Sequence, residues 1–373
     1  MTALLLAAGI VLLVAGAEGL VRGASQIATG VGISPLVVGL TVVALGTSAP
    51  ELAISVGSSL AGRTELALGN VVGSNIFNVL FTLGLTALIA PIAVSSQLVR
   101  LDVPLGIGAA VGTLLLALDG TIGRLDGAVL VLTIIVYTAV LIVSSQGDAE
   151  GGASGASTNG AGADAPYFGN PSSAGQWAMN VGLVVGGLAL LVLGARWIVT
   201  AAVDIAQRFG VSELVIGLTI VAGGTSLPEL ATSVLAGIRG RRDIAVGNVV
   251  GSNLFNLLAV LGCSALVAPG GVPVSESVLW FDLPVMIATA VACLPIFFTG
   301  QVIARWEGTL FLGYYGAYTI YLLLAATQHD ALSTFSTAMW AFVLPLTAVT
   351  LLVLSVQAWR GRGAPSDGAH GAR

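Results

Sequence analysis

The sequence predicts an all-α integral membrane protein. It is expected to hold two inverted-topology five-helix repeats, ten spans in all, and one extra C-terminal transmembrane helix. Three observations carry that expectation. The 373-residue chain is 56% hydrophobic and only 8% charged, where soluble domains carry about 25% charged residues. Apolar runs of the roughly 20 residues needed to cross a bilayer recur along its length. Residues 39–91 return as residues 217–269 at a constant offset of 178, and about 33 of those 53 positions are identical.

The apolar runs fall at 3–21, 35–61, 65–90, 103–118, 125–143, 177–198, 212–238, 243–268, 278–298, 305–326 and 336–356. The first has no basic segment before it and opens a repeated unit, so it reads as a span and not as a cleaved signal peptide. Residues 1–145 form the first half, built on the repeat at 39–91. Residues 176–326 form the second, built on 217–269. Beyond the repeat, Asp102-Val103-Pro104 echoes Asp282-Leu283-Pro284. An odd number of spans per half sends the halves into the membrane in opposite senses. That is the inverted arrangement of secondary transporters, whose site lies at the repeat interface near the midplane.

Residues 146–175 join the halves as a flexible cytoplasmic linker. From Gln146 to Pro166 the chain is rich in Gly, Ala, Ser and Asp and has almost nothing to bury. Asp148, Glu150 and Asp164 lack the regular spacing and closing Glu of an EF-hand. Residues 327–373 hold the eleventh span, which has no counterpart in the repeat, and a tail expected to be disordered from Gly361 onward.

Every basic residue is arginine. With the N-terminus outside, nine arginines fall inside (Arg22, Arg100, Arg239, Arg241, Arg242, Arg305, Arg360, Arg362 and Arg373) and four outside (Arg63, Arg124, Arg196 and Arg208). The positive-inside rule then favours a multi-pass protein of the cell membrane with a cytoplasmic C-terminus. The net charge of −5 sits in loops and tails, which argues against nucleic acid. No protein partner is inferable. Cys263 and Cys293 fall inside spans and read as small buried side chains, not as a disulfide framework. Glu18 and Arg22 are spaced for a helical ion pair. Asp102 and Asp282 look like helix N-caps, and Glu65 and Asp243 open their spans with a charge that suits the helix dipole.

The chemistry centres on a hexapeptide that occurs twice in apolar surroundings, Gly46-Thr47-Ser48-Ala49-Pro50-Glu51 and Gly224-Thr225-Ser226-Leu227-Pro228-Glu229. A carboxylate inside a span is costly and by default marks function. Pro50 frees the carbonyl of Gly46, and Pro228 that of Gly224. The carbonyls of Ala44 and Ala222, in the turn loosened by those glycines, are further candidates. Thr47 and Ser48 bring hydroxyls to the side that carries Glu51, and Thr225 and Ser226 do so for Glu229. The result is two clusters of hard oxygens, each with one full negative charge. A proline kink with its glutamate acting as helix–helix glue would account for one copy better than for two.

The next span carries Gly69-Asn70-Val71-Val72-Gly73-Ser74-Asn75-Ile76-Phe77-Asn78, with its twin Gly247-Asn248-Val249-Val250-Gly251-Ser252-Asn253-Leu254-Phe255-Asn256. The glycines, four apart, permit close helix contact. Ser74 with Asn78, and Ser252 with Asn256, share a helix face and read as neutral ligands to the same ion. Interhelical hydrogen bonding is the plainer reading of each asparagine taken alone.

These paired motifs resemble the two alpha repeats of the cation/calcium exchanger superfamily, and the chain is most similar to its prokaryotic sodium/calcium exchangers over roughly residues 1–326. The resemblance implies calcium ligands in Glu51, Glu229 and the carbonyls of Thr47 and Thr225. It implies sodium contacts from Ala44, Ser48 and Ser74 on one side, and from Ala222, Ser226 and Ser252 on the other, with Asn78 and Asn256 lining the middle. Some members carry an aspartate where this chain has Asn78 or Asn256, and in relatives an acid there is linked to potassium co-transport. Here both are asparagine, so potassium co-transport is not expected, and the eleventh span exceeds the usual ten.

Physics points the same way. Two carboxylates with neutral oxygens suit the 6–8 oxygen ligands of calcium, and an empty site of charge −2 in low dielectric is costly. The empty carrier should reorient rarely, so one cation replaces another without a covalent step. No enzyme and no cofactor is expected, only transported calcium and sodium. A proton/calcium antiporter could use the same glutamates, since burial raises a carboxylate pKa, but it would leave Ser48, Ser226, Ser74 and Ser252 idle. A cation channel would want a symmetric pore and filter.

Overall fold

The computed structural model describes residues 2–151, 173–211, 216, 220, 222–298 and 301–350. It is all-helical apart from two minimal strand pairs. Among the described residues eight helices are long and apolar enough to cross a membrane, nine if one bent pair is a single span. In chain order the helices are α1 (Thr2–Val31), the bent pair α2 (Pro35–Thr47) and α3 (Ala49–Leu60), α4 (Thr64–Ile89), α5 (Leu98–Asp119) and α6 (Arg124–Gly151). Then come α7 (Ala174–Arg208), α8 (Leu227–Ile238), α9 (Arg242–Val267), α10 (Val278–Leu294), α11 (Arg305–Ala326) and α12 (Ala331–Thr350). Helices α8 and α10 are apolar but shorter than a full span, and much of the stretch before α8 lies outside the described residues.

Three helices extend beyond the apolar runs that mark them in the sequence. Helix α1 runs on to Val31, α5 starts at Leu98, and α6 continues to Gly151, six residues into the segment expected to be a flexible linker. Most of that linker, and the tail from Gly361, lie outside the described residues. The span expected at 35–61 is bent by 45° between Thr47 and Ala49. Pro50 stands in the first turn of α3, where a missing N–H goes unmissed, so the chain stops one helix and starts another at Ser48.

Helices α4 and α9, the twins that carry the second motif, lie deepest, with 72% of each span buried, whereas α12 has none of its span buried. Helices α1 and α7 make the most extensive contact of any helix pair. Small residues allow it: a Cβ on Gly16 would stand 2.7 Å from the Gly187 carbonyl oxygen, and one on Gly187 the same distance from that of Gly16. Without a hydrophobic drive between helices in lipid, such close backbone approach is what holds them. Gly247 and Gly251 play the same part against Leu36 and Leu40. Gly69 and Gly73 have no described neighbour within contact distance of an added Cβ.

Strands β1 (Ile92–Ala93) and β4 (Val302–Ile303) pair antiparallel, as do β2 (Thr121–Ile122) and β3 (Val272–Pro273). Each pair joins the first part of the chain to the second. Glu18 pairs with Arg22 as the spacing predicts, and also with Arg239, whose Nη2 is 2.9 Å from Glu18 Oε2. Cys263 and Cys293 are both free.

The capping role expected of Asp102 and Asp282 is corrected. Each ends a π-helical turn, Leu98–Asp102 or Val278–Asp282, that continues directly into α-helix. The downstream N–H groups already have helical partners, and Asp102 makes no capping bond. Instead Tyr137 donates to Asp102 Oδ1 at 2.9 Å, and Tyr318 donates to Asp282 Oδ1 at 3.0 Å. Asp102 is fully buried, so Tyr137→Phe should strip a buried carboxyl of its donor and cost about 1–3 kcal/mol. The expected result is a lower thermal unfolding temperature of the detergent-purified protein, and an unchanged temperature would show that the bond contributes nothing.

A cavity of about 610 Å³ lies among α10, α11 and α12, with Trp280, Tyr318, Tyr321 and Trp340 in its lining. No predicted ion ligand lines it.

Candidate functional site

The two hexapeptides meet in the interior, joined by hydrogen bonds between buried residues. Glu51 opens α3 and Glu229 opens α8, both in the first turn and both fully buried. Each carboxylate takes its hydroxyl from the other half. Ser48 Oγ donates to Glu229 Oε1 at 3.0 Å, and Ser226 Oγ donates to Glu51 Oε1 at 2.9 Å. Helical spacing within one half puts each serine beside its own glutamate. The break at Ser48, and the equivalent turn at Ser226, aim the hydroxyls across the interface instead.

The other oxygen of each carboxylate is unspent. Among the described residues, Glu51 Oε2, Glu229 Oε2, both carboxamide atoms of Asn78 and of Asn256, and Ser74 Oγ are buried without a hydrogen-bond partner. A buried polar group left unpaired costs about 1–3 kcal/mol, and Glu51 Oε2 and Glu229 Oε2 belong to carboxylates that the crossed serine bonds bring to one interface. Asn78 lies in a π-helical stretch of α4, Phe77–Leu83, packed against α8, and Asn256 lies in the twin stretch of α9, Phe255–Val260, packed against α3. Each asparagine thus belongs to a segment that touches the helix carrying the opposite glutamate. Short π-helical stretches inside α-helices often occur at functional sites.

Thr47 Oγ1 lies 3.0 Å from Asn248 Oδ1, 3.3 Å from the Ala44 carbonyl and 3.4 Å from Ser252 Oγ. The Ala44 carbonyl also accepts from Ser48 N–H at 3.0 Å. Thr225 is half-buried, and its hydroxyl lies 3.4 Å from Asn70 Oδ1. Ala222 opens the short helix Ala222–Gly224 just before the second hexapeptide.

Two pairs of residues join this assembly that helical spacing did not single out, Asn70 with Ser55 and Asn248 with Ser233. Asn70 Nδ2 donates to Ser55 Oγ at 2.9 Å, and Asn248 Nδ2 donates to Ser233 Oγ at 2.9 Å. The signal was available, since all four recur at the repeat offset of 178. Among the described residues no three His, Cys, Asp or Glu side chains gather to hold a metal. Two carboxylates ringed by neutral oxygens leave a set suited to a hard cation such as calcium or sodium.

Comparison with known proteins agrees with that chemistry. The chain matches the family described as sodium/calcium exchanger protein over residues 1–143 and 179–324. It is 35% identical over 343 residues to the sodium/calcium exchanger MaX1 of Methanosarcina acetivorans, covering 86% of this chain and 97% of that one. It is 37% identical over 291 residues to the putative antiporter CaxA of Alkalimonas amylolytica, covering 77% of this chain and 86% of the other. Among solved structures it resembles the sodium-calcium exchanger NCX_Mj soaked without sodium or calcium, with a TM-score of 0.70 and 29% identity over 84% of this chain and 96% of the other.

Proposed function

The chain belongs to the sodium/calcium exchanger protein family, and from that premise we propose that it exchanges sodium for calcium across the cell membrane by alternating access. Both cations compete for one midplane site built on Glu51 and Glu229. As a member of a transporter family it is not an enzyme. The observation that carries the reading is the crossed serine–glutamate pairing, which leaves one buried oxygen of each carboxylate free for a cation.

Calcium takes Glu51 and Glu229 with the carbonyls of Thr47 and Thr225, and Asn78 and Asn256 line the centre. Sodium ions take Ser48, Ser74 and the Ala44 carbonyl on one side, and Ser226, Ser252 and the Ala222 carbonyl on the other. The Ala44 carbonyl accepts from Ser48 N–H in this conformation, and the Thr47 hydroxyl 3.3 Å away is given to Asn248 Oδ1 at 3.0 Å, which leaves a lone pair of that carbonyl for a cation.

The proposed architecture is ten spans as inverted halves, 1–145 and 176–326, around a linker at 146–175, with the accessory helix and tail in 327–373. Symmetry supports it. Three contacts recur with the two parts of the chain exchanged: Ser48 to Glu229 with Ser226 to Glu51, Tyr137 to Asp102 with Tyr318 to Asp282, β1 to β4 with β3 to β2. Parity supports it too. Thr2 bonds Asp204, Ser34 bonds Ser145, Glu18 pairs with Arg239, and the two strand pairs close. In the ten-span arrangement an even number of crossings separates the members of every such pair, which puts both at one face. The arginine distribution then makes the N-terminus external and the C-terminus cytoplasmic.

The deciding experiment is calcium flux in sealed vesicles with the purified chain. Uptake driven by an outward sodium gradient is the expected result. Uptake driven only by a pH gradient would make it a proton/calcium antiporter, and downhill flux with neither gradient would make it a channel. Replacing residues 148–164 by another flexible segment should leave sodium-driven uptake intact, because that stretch has little apolar surface to bury. Loss of uptake in that variant would show that the linker takes part.

A further inference from the structure

Two asparagines that bind no ion in the scheme above tie the two halves of the site together. Asn248 Nδ2 donates to the backbone carbonyl of Glu229 at 3.2 Å and to Ser233 Oγ at 2.9 Å. A carbonyl oxygen can only accept, so the nitrogen of this carboxamide must face Glu229, and Oδ1 faces away from it. On that side Oδ1 accepts from Thr47 Oγ1 at 3.0 Å, across the interface between halves. Asn70 repeats the arrangement. Its nitrogen donates to Ser55 Oγ at 2.9 Å and to the Glu51 carbonyl at 3.4 Å, and its oxygen accepts from Thr225 Oγ1 at 3.4 Å.

We propose that Asn70 and Asn248 are positioning residues for ion exchange: each clasps the threonine of the opposite hexapeptide to the backbone of its own half's glutamate, and so sets the separation of the two carboxylates. The inference rests on the antiporter reading above. Thr47 is the neighbour of Ser48, which holds Glu229. The Asn248 clasp and the Ser48 bond therefore fix the same pair of segments at two adjacent points. A hydroxyl-to-amide clasp is neutral, so it orders the interface without competing for the cation. The two clasps are unequal. Thr47 and Asn248 are both fully buried and their bond is the shorter, whereas Asn70 and Thr225 are half-buried and theirs is longer.

The test is calcium uptake into sodium-loaded vesicles by the reconstituted full chain, over a range of free calcium. Loss of the shared Thr47–Asn248 bond, worth about 1.4 kcal/mol, predicts a rise in half-saturating calcium of roughly tenfold with a much smaller change in maximal rate. Asn248→Ala, which also gives up the bonds to the Glu229 carbonyl and Ser233 Oγ, should show at least that rise. Thr47→Val should do the same. The double variant should be no worse than the poorer single one, because both break one bond. Thr47→Ser, which keeps the hydroxyl, should need less calcium than Thr47→Val, and Asn70→Ala should show the smaller rise. An unchanged half-saturation in Asn248→Ala, or additive losses in the double variant, would overturn the proposal. Should Asn248→Ala fail to insert, equal half-saturation for Thr47→Val and Thr47→Ser would overturn it. Failure of the antiporter reading looks different, since the unaltered chain would then show no sodium-driven uptake.

Discussion

Glu229→Gln is expected to reduce sodium-driven calcium uptake to background while the protein still inserts and purifies intact. Glutamine keeps the shape of the side chain and an oxygen that can accept from Ser48, the bond that holds Glu229 Oε1. The fold therefore loses little. The site loses half of its formal charge, leaving one carboxylate to face a divalent ion in a buried setting. An uncompensated buried charge costs roughly 3–5 kcal/mol, which is at least a hundredfold in affinity. Glu51→Gln should behave alike, because Ser226 holds Glu51 as Ser48 holds Glu229. Robust calcium uptake by the Glu229→Gln protein would sink the shared-site proposal.

Transport should also move charge, carried by sodium and not by protons. In the proposed scheme the two flanking oxygen sets, around Ser48 with Ser74 and around Ser226 with Ser252, take one sodium each, and the central carboxylates take a third. Three sodium ions against a site charge of −2 leave the loaded site at +1, while the calcium-loaded site is neutral. A membrane potential acts on that difference with about 2.3 kcal/mol per charge per 100 mV, roughly fiftyfold in the equilibrium calcium gradient. In sodium-loaded vesicles, with a potassium gradient and valinomycin setting the voltage, an inside-positive potential should speed calcium uptake. Voltage-independent uptake would mean two sodium ions per calcium and no third site.

The helices were largely legible because a bilayer leaves a plain mark on composition, and the hexapeptides because they occur twice. The convergence of the two hexapeptides was legible from the repeat, but which side chain pairs with which across the chain was not. Ser48 reads as a companion of Glu51, but a helix break turns it to Glu229. Asp102 before Pro104 reads as a cap, and nothing nearby in sequence betrays its partner Tyr137. The π-helical stretches that carry Asn78 and Asn256 have no compositional signature, since one extra residue per turn leaves the same apolar run. Asn70 and Asn248 lay within the repeat in plain view, but spacing along one helix could not show that each reaches a threonine of the other half.

Neither half holds a finished pair: Ser48 serves Glu229, and Ser226 serves Glu51. Yet Ser48 and Glu51 belong to the same half, so two copies of that half lying head to tail would supply both crossed bonds between them. The constellation is self-complementary, and a shorter gene encoding residues 1–145 alone, inserted in both orientations, would hold every group the crossed bonds need. Under the proposed inverted arrangement, joining two such copies in one chain would make their opposed orientation covalent. It also lets the twins differ: Thr47 lies 3.0 Å from Asn248, and Thr225 lies 3.4 Å from Asn70.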